Sequence, residues 1–395
     1  MLRRLTLVTA GESHGPGLTA ILGGVPAGLG IDPAFLSREL ARRQHGYGRG
    51  RRMRIEQDEV AIRGGVRGGE TLGSPIALWI ANRDHVSWAG VMEAGTLDAG
   101  KAERQRLRSP RPGHADLAGG LKYLRRDLRD VLERASARES AARVAAGAVC
   151  KLLLAEAGVE IRSGVRALGP VGSDRGAPDW KDLLGVDDGS PLRAVWRDLE
   201  PAMVEAVDRA RADGDTLGGT VTVIAHGVPA GLGSHVQWDE RLDGRLAQAL
   251  LSVPTVKAVE FGEAIAVSRG SGREAHDAIE RGAGSGFRRT TNRAGGLEGG
   301  MTNGEDVMVT TYDKPISTLP QGLPSVDLDT LEPQAAQYER SDVTAVPACG
   351  VIAEAMVALV LADALLEKVG GDSLPEVKAH LEATLSLQRE WPPRG

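Results

Sequence analysis

Gly24-Val25-Pro26-Ala27-Gly28-Leu29-Gly30 returns unchanged as Gly227-Val228-Pro229-Ala230-Gly231-Leu232-Gly233, an offset of 203 positions. A second pair keeps nearly the same spacing. Glu133-Arg134-Ala135-Ser136 precedes one long apolar segment, and Glu339-Arg340-Ser341-Asp342 precedes another 206 positions later. Two pairs in register argue for two related halves that share one core. The halves are expected at roughly 1–200 and 201–370, with a C-terminal helix and tail over 371–395, all within a single domain.

Working outward, strand-like runs bounded mostly by glycine lie at Leu5–Ala10, Leu18–Val25, Glu59–Val66, Ile76–Ala81, Thr220–Ala225, Ala258–Val267 and Val307–Tyr312. Asp32 can cap a helix with Pro33 at its first position, running to about Gln44, and an equivalent helix is expected over Asp239–Ser252. Ala137–Ala157 ends at Gly158, and Pro347 opens a helix ending near Gly370. Both are apolar on nearly all sides, which predicts helices covered on every face. The sum is an α/β domain with long central helices between sheets.

Composition narrows the function. Only 13 residues are aromatic (3 Phe, 6 Trp, 4 Tyr), so a planar cofactor would rest more on backbone and aliphatic surface than on stacked rings. The net charge of -5 argues against a general nucleic-acid coat. Yet the 48 basic residues comprise eight Lys and 40 Arg, and seven of those Arg fall between Arg38 and Arg54. Guanidinium is a planar donor fork suited to phosphate and carboxylate, so this density suggests a pocket for a small anion; a solvated arginine surface is the bland alternative. Cys150 and Cys349 sit in Ala/Val-rich stretches and give neither a disulfide framework nor a metal quartet. Leu5–Ala10 is too short for a signal sequence, and Glu354 and Asp363 weigh against a membrane span over Val351–Leu366. A soluble cytoplasmic protein is expected.

The chemistry-bearing segments are few. Gly11-Glu12-Ser13-His14-Gly15 sets a histidine between glycines, where it can meet a ligand without competing side chains; a turn whose histidine caps a carbonyl is the rival. Arg111-Pro112-Gly113-His114-Ala115-Asp116 joins an anion-holding arginine to a histidine that Asp116 can orient. Glu12, His14, His114 and Asp116 could instead ligate a metal, although no helical HExxH spacing is present. Arg42 to Arg52 is a glycine-rich basic loop, neither Walker A nor Rossmann fingerprint. It reads as a device delivering guanidinium groups to a polyanionic substrate, or else as an RNA-binding loop. Arg288–Gly304 is too rich in Gly and Asn for regular structure and long enough to be functional. Lys314-Pro315-Ile316-Ser317-Thr318 offers an ammonium and two hydroxyls to a phosphate, and Arg340-Ser341-Asp342 lies close behind.

Taken together, these segments resemble the chorismate synthase family, from Gly11 to about Leu365 and through at least six motifs in order. That resemblance implies a β-α-β sandwich with antiparallel sheets and internal pseudo-twofold duplication. It implies a homotetramer (a dimer of dimers) that uses reduced FMN, with NADPH as electron source and an external flavin reductase. The implied reaction is the anti-1,4-elimination of phosphate from 5-enolpyruvylshikimate-3-phosphate to give chorismate, with no net redox change. His14 is then the candidate proton donor to the departing phosphate, His114 sits by the flavin and favours its reduced anionic form, and Asp342 relays the ring proton. Arg43 and Arg49 match loop positions that bind NADP and lie near substrate. Ser13, His14, Arg111 and Arg340 complete the expected substrate contacts. Flavin contacts carried over by motif are Arg134, Ala135, Ser136, Thr255, Gly299, Lys314, Pro315, Ile316, Ser317, Thr318 and Arg340. Two departures stand out: Pro254 replaces a polar residue expected before the Lys257–Glu260 strand, and Ser317 replaces a common proline. No metal, nucleic acid or membrane is expected; an RNA-binding protein and a metal-dependent phosphatase are the alternatives. At the 203 offset His14 falls on Leu217 and His114 on Ser317, so both histidines belong to the first half alone.

Overall fold

The computed structural model describes residues 2–50, 57–282, 286–339 and 342–392. In its first half β1 (Thr6–Ala10), β2 (Gly17–Gly23), β3 (Val60–Gly64) and β4 (Ile76–Ala81) form an antiparallel sheet ordered β1-β2-β4-β3. In its second half β5 (Glu160–Leu168), β6 (Gly219–His226), β7 (Val256–Phe261) and β8 (Val307–Asp313) repeat that order as β5-β6-β8-β7, again antiparallel. Each sheet has a helix between its second and third strands, α1 (Pro33–Gln44) or α3 (Leu242–Leu251). Each is followed by a long helix, α2 (Ser140–Ala155) or α4 (Val346–Val369).

The four helices form the middle layer. α2 packs on β2 and β4, α4 packs on β5, β6 and β8, and the two long helices pack on each other. Their contact is close because Gly147 has no side chain: a Cβ there would lie 2.4 Å from Ala355 Cβ. One apolar cluster runs through both sheets and all four helices. The expected layering of central helices between sheets is therefore what the chain adopts.

The repeated heptapeptide has a structural reason. Gly24 (φ 85°) and Gly227 (φ 77°) both take left-handed backbone. A Cβ at Gly24 would sit 2.1 Å from Arg4 O, and one at Gly227 2.5 Å from Gly158 O, so each glycine lets the chain cross the segment entering its sheet. One threonine then clamps each repeat. Thr71 Oγ1 accepts from Leu29 N (2.9 Å) and donates to Pro26 O (2.6 Å); Thr302 Oγ1 accepts from Leu232 N (2.9 Å) and donates to Pro229 O (2.6 Å).

The equivalence also shows where the halves differ. Thr71 and Thr302 are 231 positions apart, but the starts of α2 and α4, Ser140 and Val346, are only 206 apart. The first half thus carries extra chain between β4 and α2, the stretch that contains His114. The second half instead enlarges its first hairpin over 169–218. There Leu183 and Val195, with Trp180 and Trp196 beside them, cover Ile224 and Met308 on the outer face of the second sheet. Counted by strands, the repeating unit spans 6–155 and then 160–369, so the expected boundary near 200 falls inside the second unit.

Local signals set most element ends as read. Asp32 accepts from Ala34 N at 2.9 Å and caps α1 before Pro33, and α4 carries Pro347 near its start and stops at Gly370. Two readings are corrected and two elements went unread. The strand expected to reach Val267 stops at Phe261, because the chain turns at Gly262 (φ 59°) and Ala264–Val267 is a helical turn. Arg288–Gly304 is partly regular, with Phe287–Arg289 paired to Ile279–Arg281 and Leu297–Glu298 to Met301–Thr302. The strand β5 and the helix Glu200–Ala212 had no clear signal; in β5, Ser163 and Gly164 break the alternation of charged residues with Ile161 and Val165.

α4 is apolar and long enough to cross a membrane by length and composition, yet it is buried within the protein from Val346 to Leu366. Its two acids are satisfied there. Asp363 accepts from the backbone N of Arg3, Arg4 and Leu5 and from Arg245 Nη2 (2.5 Å), pinning the entry to β1. Glu354 meets Arg42, Lys151, Arg193 and Ser163. A capping box of Ser373 and Glu376 starts α5 (Leu374–Arg389), which seats Val377 and Leu381 in the core.

Candidate active site

The hairpin between β1 and β2 carries Ser13 and His14, both buried. Its anchor is Glu133 at the end of the helix Arg129–Ala135. Glu133 Oε2 accepts from His14 N at 2.8 Å, Oε1 lies 2.8 Å from His14 Nδ1, and Glu133 O accepts from Ser13 N at 2.9 Å. Because a carboxylate only accepts, Nδ1 carries the hydrogen, which fixes the orientation of the ring. Burial works against the charge on Glu133, but the hydrogen bonds and charge of His14, with Arg129, outweigh it and hold its pKa below the usual carboxylate range. The imidazole stacks on Trp88, with centroids 4.0 Å apart, and Arg129 lies over the same indole at 4.7 Å. Arg129 also reaches Glu133 (3.2 Å), Glu339 (2.8 Å) and Gln105 O (2.5 Å). A cleft of about 550 Å³ opens beside Glu12, Arg129 and Glu133.

The second histidine has a carboxylate of its own. His114 Nδ1 lies 2.5 Å from Asp116 Oδ1, and the buried Arg111 donates to Asp116 through Nε (2.8 Å) and Nη2 (3.0 Å). Arg111 Nη2 is also 3.0 Å from His114 Nδ1. A nitrogen that donates to Asp116 cannot accept from Arg111, so the shorter carboxylate contact governs. Burial opposes ionisation of Asp116, but His114 and Arg111 hold its carboxyl far below the usual range. Arg111 Nη1 donates to Thr318 Oγ1 at 2.9 Å, joining this loop to the 314–318 segment. The four residues weighed as metal ligands are thus divided, with His14 committed to Glu133 and His114 to Asp116.

The basic loop is folded in. Arg42 pairs with Glu39 and Glu354, Arg43 with Asp58, and Arg49 with Asp342 at 2.7 Å; Asp342 Oδ1 also accepts from Gly50 N at 2.5 Å. Tyr47 is held by Asp208 and lies under Arg211. Arg42 is spent inside the protein, which removes it from any RNA-binding surface, whereas Arg43 keeps Nε without a hydrogen-bond partner. Residues 51–56, and with them Arg51, Arg52 and Arg54, lie outside the described residues, as do Arg340 and Ser341.

Among the expected flavin contacts, Arg134 donates to Thr9 O (3.0 Å), Thr9 Oγ1 (2.6 Å) and Gly11 O (3.3 Å), beside the His14 hairpin. Ala135 ends its helix, and Ser136 Oγ accepts from Arg138 N at 3.3 Å. Thr255 turns its hydroxyl inward, 2.7 Å from Asp313 Oδ1 and 2.9 Å from Cys349 Sγ, while its carbonyl accepts from Lys314 N. Ile316 O accepts from Thr216, and Ser317 lies against Gly113, where a Cβ would be 3.4 Å away. Pro315 continues the same segment. Gly299 sits apart, in the turn of the Leu297–Thr302 hairpin near His235 and Met301. Lys314 is half buried; its pKa is lowered by burial and by Lys257, and no acidic partner stands against it among the described residues.

Sequence reasoning passed over Asp58, Asn82, Trp88 and Arg129. Glu133 and Arg138 were read only as part of a helix start. A helix-start Glu carries no sign that it faces a histidine 119 positions earlier.

The chain is similar to known proteins over nearly its whole length. The family model described as Chorismate synthase matches residues 5–366. A chorismate synthase of Moorella thermoacetica is 55% identical over 379 residues, covering 96% of this chain and 98% of the relative. One from Brevibacillus brevis is 50% identical over 374 residues, covering 95% and 97%. A solved crystal structure of chorismate synthase superposes with a TM-score of 0.80 at 40% identity, covering 99% of this chain and all of that one. A match over nearly the whole length, in sequence and in three dimensions, shows that the chain belongs to the chorismate synthase family.

Proposed function

We propose that this chain is the shikimate-pathway lyase that eliminates phosphate from 5-enolpyruvylshikimate-3-phosphate to give chorismate. The ring C–O bond to phosphate and a ring C–H bond both break, a C=C bond forms, and inorganic phosphate and a proton leave, so no net redox change occurs. The observation that carries this reading is the buried His14–Glu133 pair beside an arginine-rich loop.

A departing phosphate develops negative charge, and a positioned proton donor helps it leave. With Nδ1 held by Glu133, His14 delivers its proton from Nε2. Arg43 and Arg49, with Arg340, neutralise the phosphate and the two carboxylates of the substrate. Arg111, committed to Asp116 and Thr318, acts on the anion by holding the His114 loop in place. Asp342 takes the ring proton. It pairs with Arg49, so an anion that draws Arg49 toward itself leaves this carboxylate able to accept.

The residues fit reduced FMN. Lys314 is a half-buried ammonium with no acid of its own among the described residues, and Arg43 Nε is buried without a hydrogen-bond partner. Both suit an anionic ligand. Lys314 to Thr318, Arg134 to Ser136, Thr255, Gly299 and Arg340 would hold the cofactor, with His114 favouring its anionic form. Reduced FMN would supply the electron that helps expel phosphate and would take it back as the hydrogen leaves. NADPH, through a separate flavin reductase, is the proposed source of those electrons in the cytoplasm.

A homotetramer is part of the proposal. The outer face of the second sheet is covered by the enlarged hairpin, whereas the first sheet leaves Val8 64% and Ile21 36% exposed.

Anaerobic mixing of the protein with photoreduced FMN and substrate should release inorganic phosphate. Flavin binding with no phosphate released rejects the proposal. Arg134→Ala should weaken FMN binding roughly 10- to 100-fold, as loss of a charged hydrogen-bond donor does; unchanged affinity in a fluorescence titration removes Arg134 from the contacts.

A further inference from the structure

The His14 hairpin is gripped from below by its carbonyls. Asn82, the residue after β4, places Nδ2 at 3.0 Å from Glu12 O, 3.2 Å from Ser13 O and 2.8 Å from Gly15 O. Its backbone N donates to Pro16 O at 3.1 Å. His85 Nδ1, facing a carbonyl and so carrying the hydrogen, donates to His14 O at 2.9 Å. All five carbonyls from Glu12 to Pro16 are therefore taken by two residues. The amide has two N–H bonds for three acceptors, so one is shared.

The other end of the same amide is held as firmly. Asn82 Oδ1 accepts from Arg138 Nε at 2.9 Å, Arg138 pairs with Asp58, and Asp58 pairs with Arg43. All four side chains are buried. The chain of contacts runs unbroken from the loop bearing the proton donor to an arginine of the anion-binding loop.

We infer that Asn82 is a positioning residue for the elimination: it fixes the His14 loop and, through Arg138 and Asp58, sets that loop's distance from Arg43. This rests on the role given to His14 above. A backbone with glycine at positions 11 and 15 has wide conformational freedom, and a misplacement of about 1 Å at a reacting group can cost roughly 100-fold in rate. Saturating every carbonyl of the loop removes that freedom without adding bulk beside the ligand.

Asn82→Asp tests this, since it keeps the shape and the acceptor for Arg138 but removes both donors and sets an oxygen against three carbonyls. The expected result is a kcat reduced roughly 30- to 100-fold, with KM and FMN affinity changed less than about twofold. A second reading does not depend on turnover. His14 stacks on Trp88, so release of the loop alters Trp88 emission, isolated by comparing each protein with its Trp88→Phe counterpart. Asn82→Ser, which retains one donor, should give an intermediate loss and serves if the aspartate variant does not fold. Unchanged kcat in the folded variant, unchanged Trp88 emission, or a kcat loss matched by an equal loss of FMN affinity overturns the inference. If the wild type itself released no phosphate, the proposed function would fail while the emission comparison still reported whether Asn82 fixes the loop.

Discussion

Glu354→Ala lowers the stability of the fold by about 3–5 kcal/mol, the cost of leaving buried charge uncompensated. Glu354 is fully buried at the middle of α4, where Arg42 (2.7 and 2.9 Å), Lys151 (2.5 Å), Arg193 (3.2 Å) and Ser163 (2.5 Å) converge on its two oxygens. Removing it leaves three cations sharing Glu39 and the half-exposed Asp188. Urea denaturation measures the effect, with Glu205→Ala as control: its ion pair with Arg209 is open to water and contributes about 0–1 kcal/mol. A loss under about 1 kcal/mol for Glu354→Ala would mean that the cluster relaxes freely. The pH dependence has a definite sign. Burial disfavours the charge, but Arg42, Lys151 and Arg193 hold this carboxyl well below its ordinary range. Its contribution is therefore present above the unfolded-state pKa and is lost only as pH falls through the lower folded value. Stability from this group should be flat between pH 5 and 8, roughly, and fall in acid.

His14→Ala lowers turnover roughly 10- to 1000-fold while leaving FMN affinity within about twofold, as loss of one general acid does. The side chain is committed to Glu133 and Trp88 rather than to any expected flavin contact, so removing it takes away a proton and little cofactor binding. Phosphate release with photoreduced FMN and a parallel flavin titration separate the two quantities. An equal loss of flavin affinity would reassign His14 to cofactor binding.

Much of this was legible in the chain. The repeated heptapeptide announced two like halves, and Asp32 with Pro33, Pro347 and Gly370 marked helix ends. Both histidine loops were recognisable because glycine, histidine and carboxylate stood within six residues. The Asp116 partner of His114 was readable for the same reason, being only two positions away. Glu133 was not, nor was Asn82, since neither has a local peculiarity; each becomes informative only when packing sets it against residues 12–16.

The sequence by itself determined the repeating frame, the apolar central helices and the candidate loops, those that set a histidine beside glycine and a carboxylate. These depend on caps, backbone freedom and hydrophobic pattern, which act over a few residues. The tertiary structure decided which carboxylate orients His14, which arginines are spent inside the protein, and where the two halves diverge. Those outcomes follow from charge pairing and hydrogen-bond saturation in a buried interior, where an unpaired group is costly and the partner is whatever the fold brings within about 3 Å.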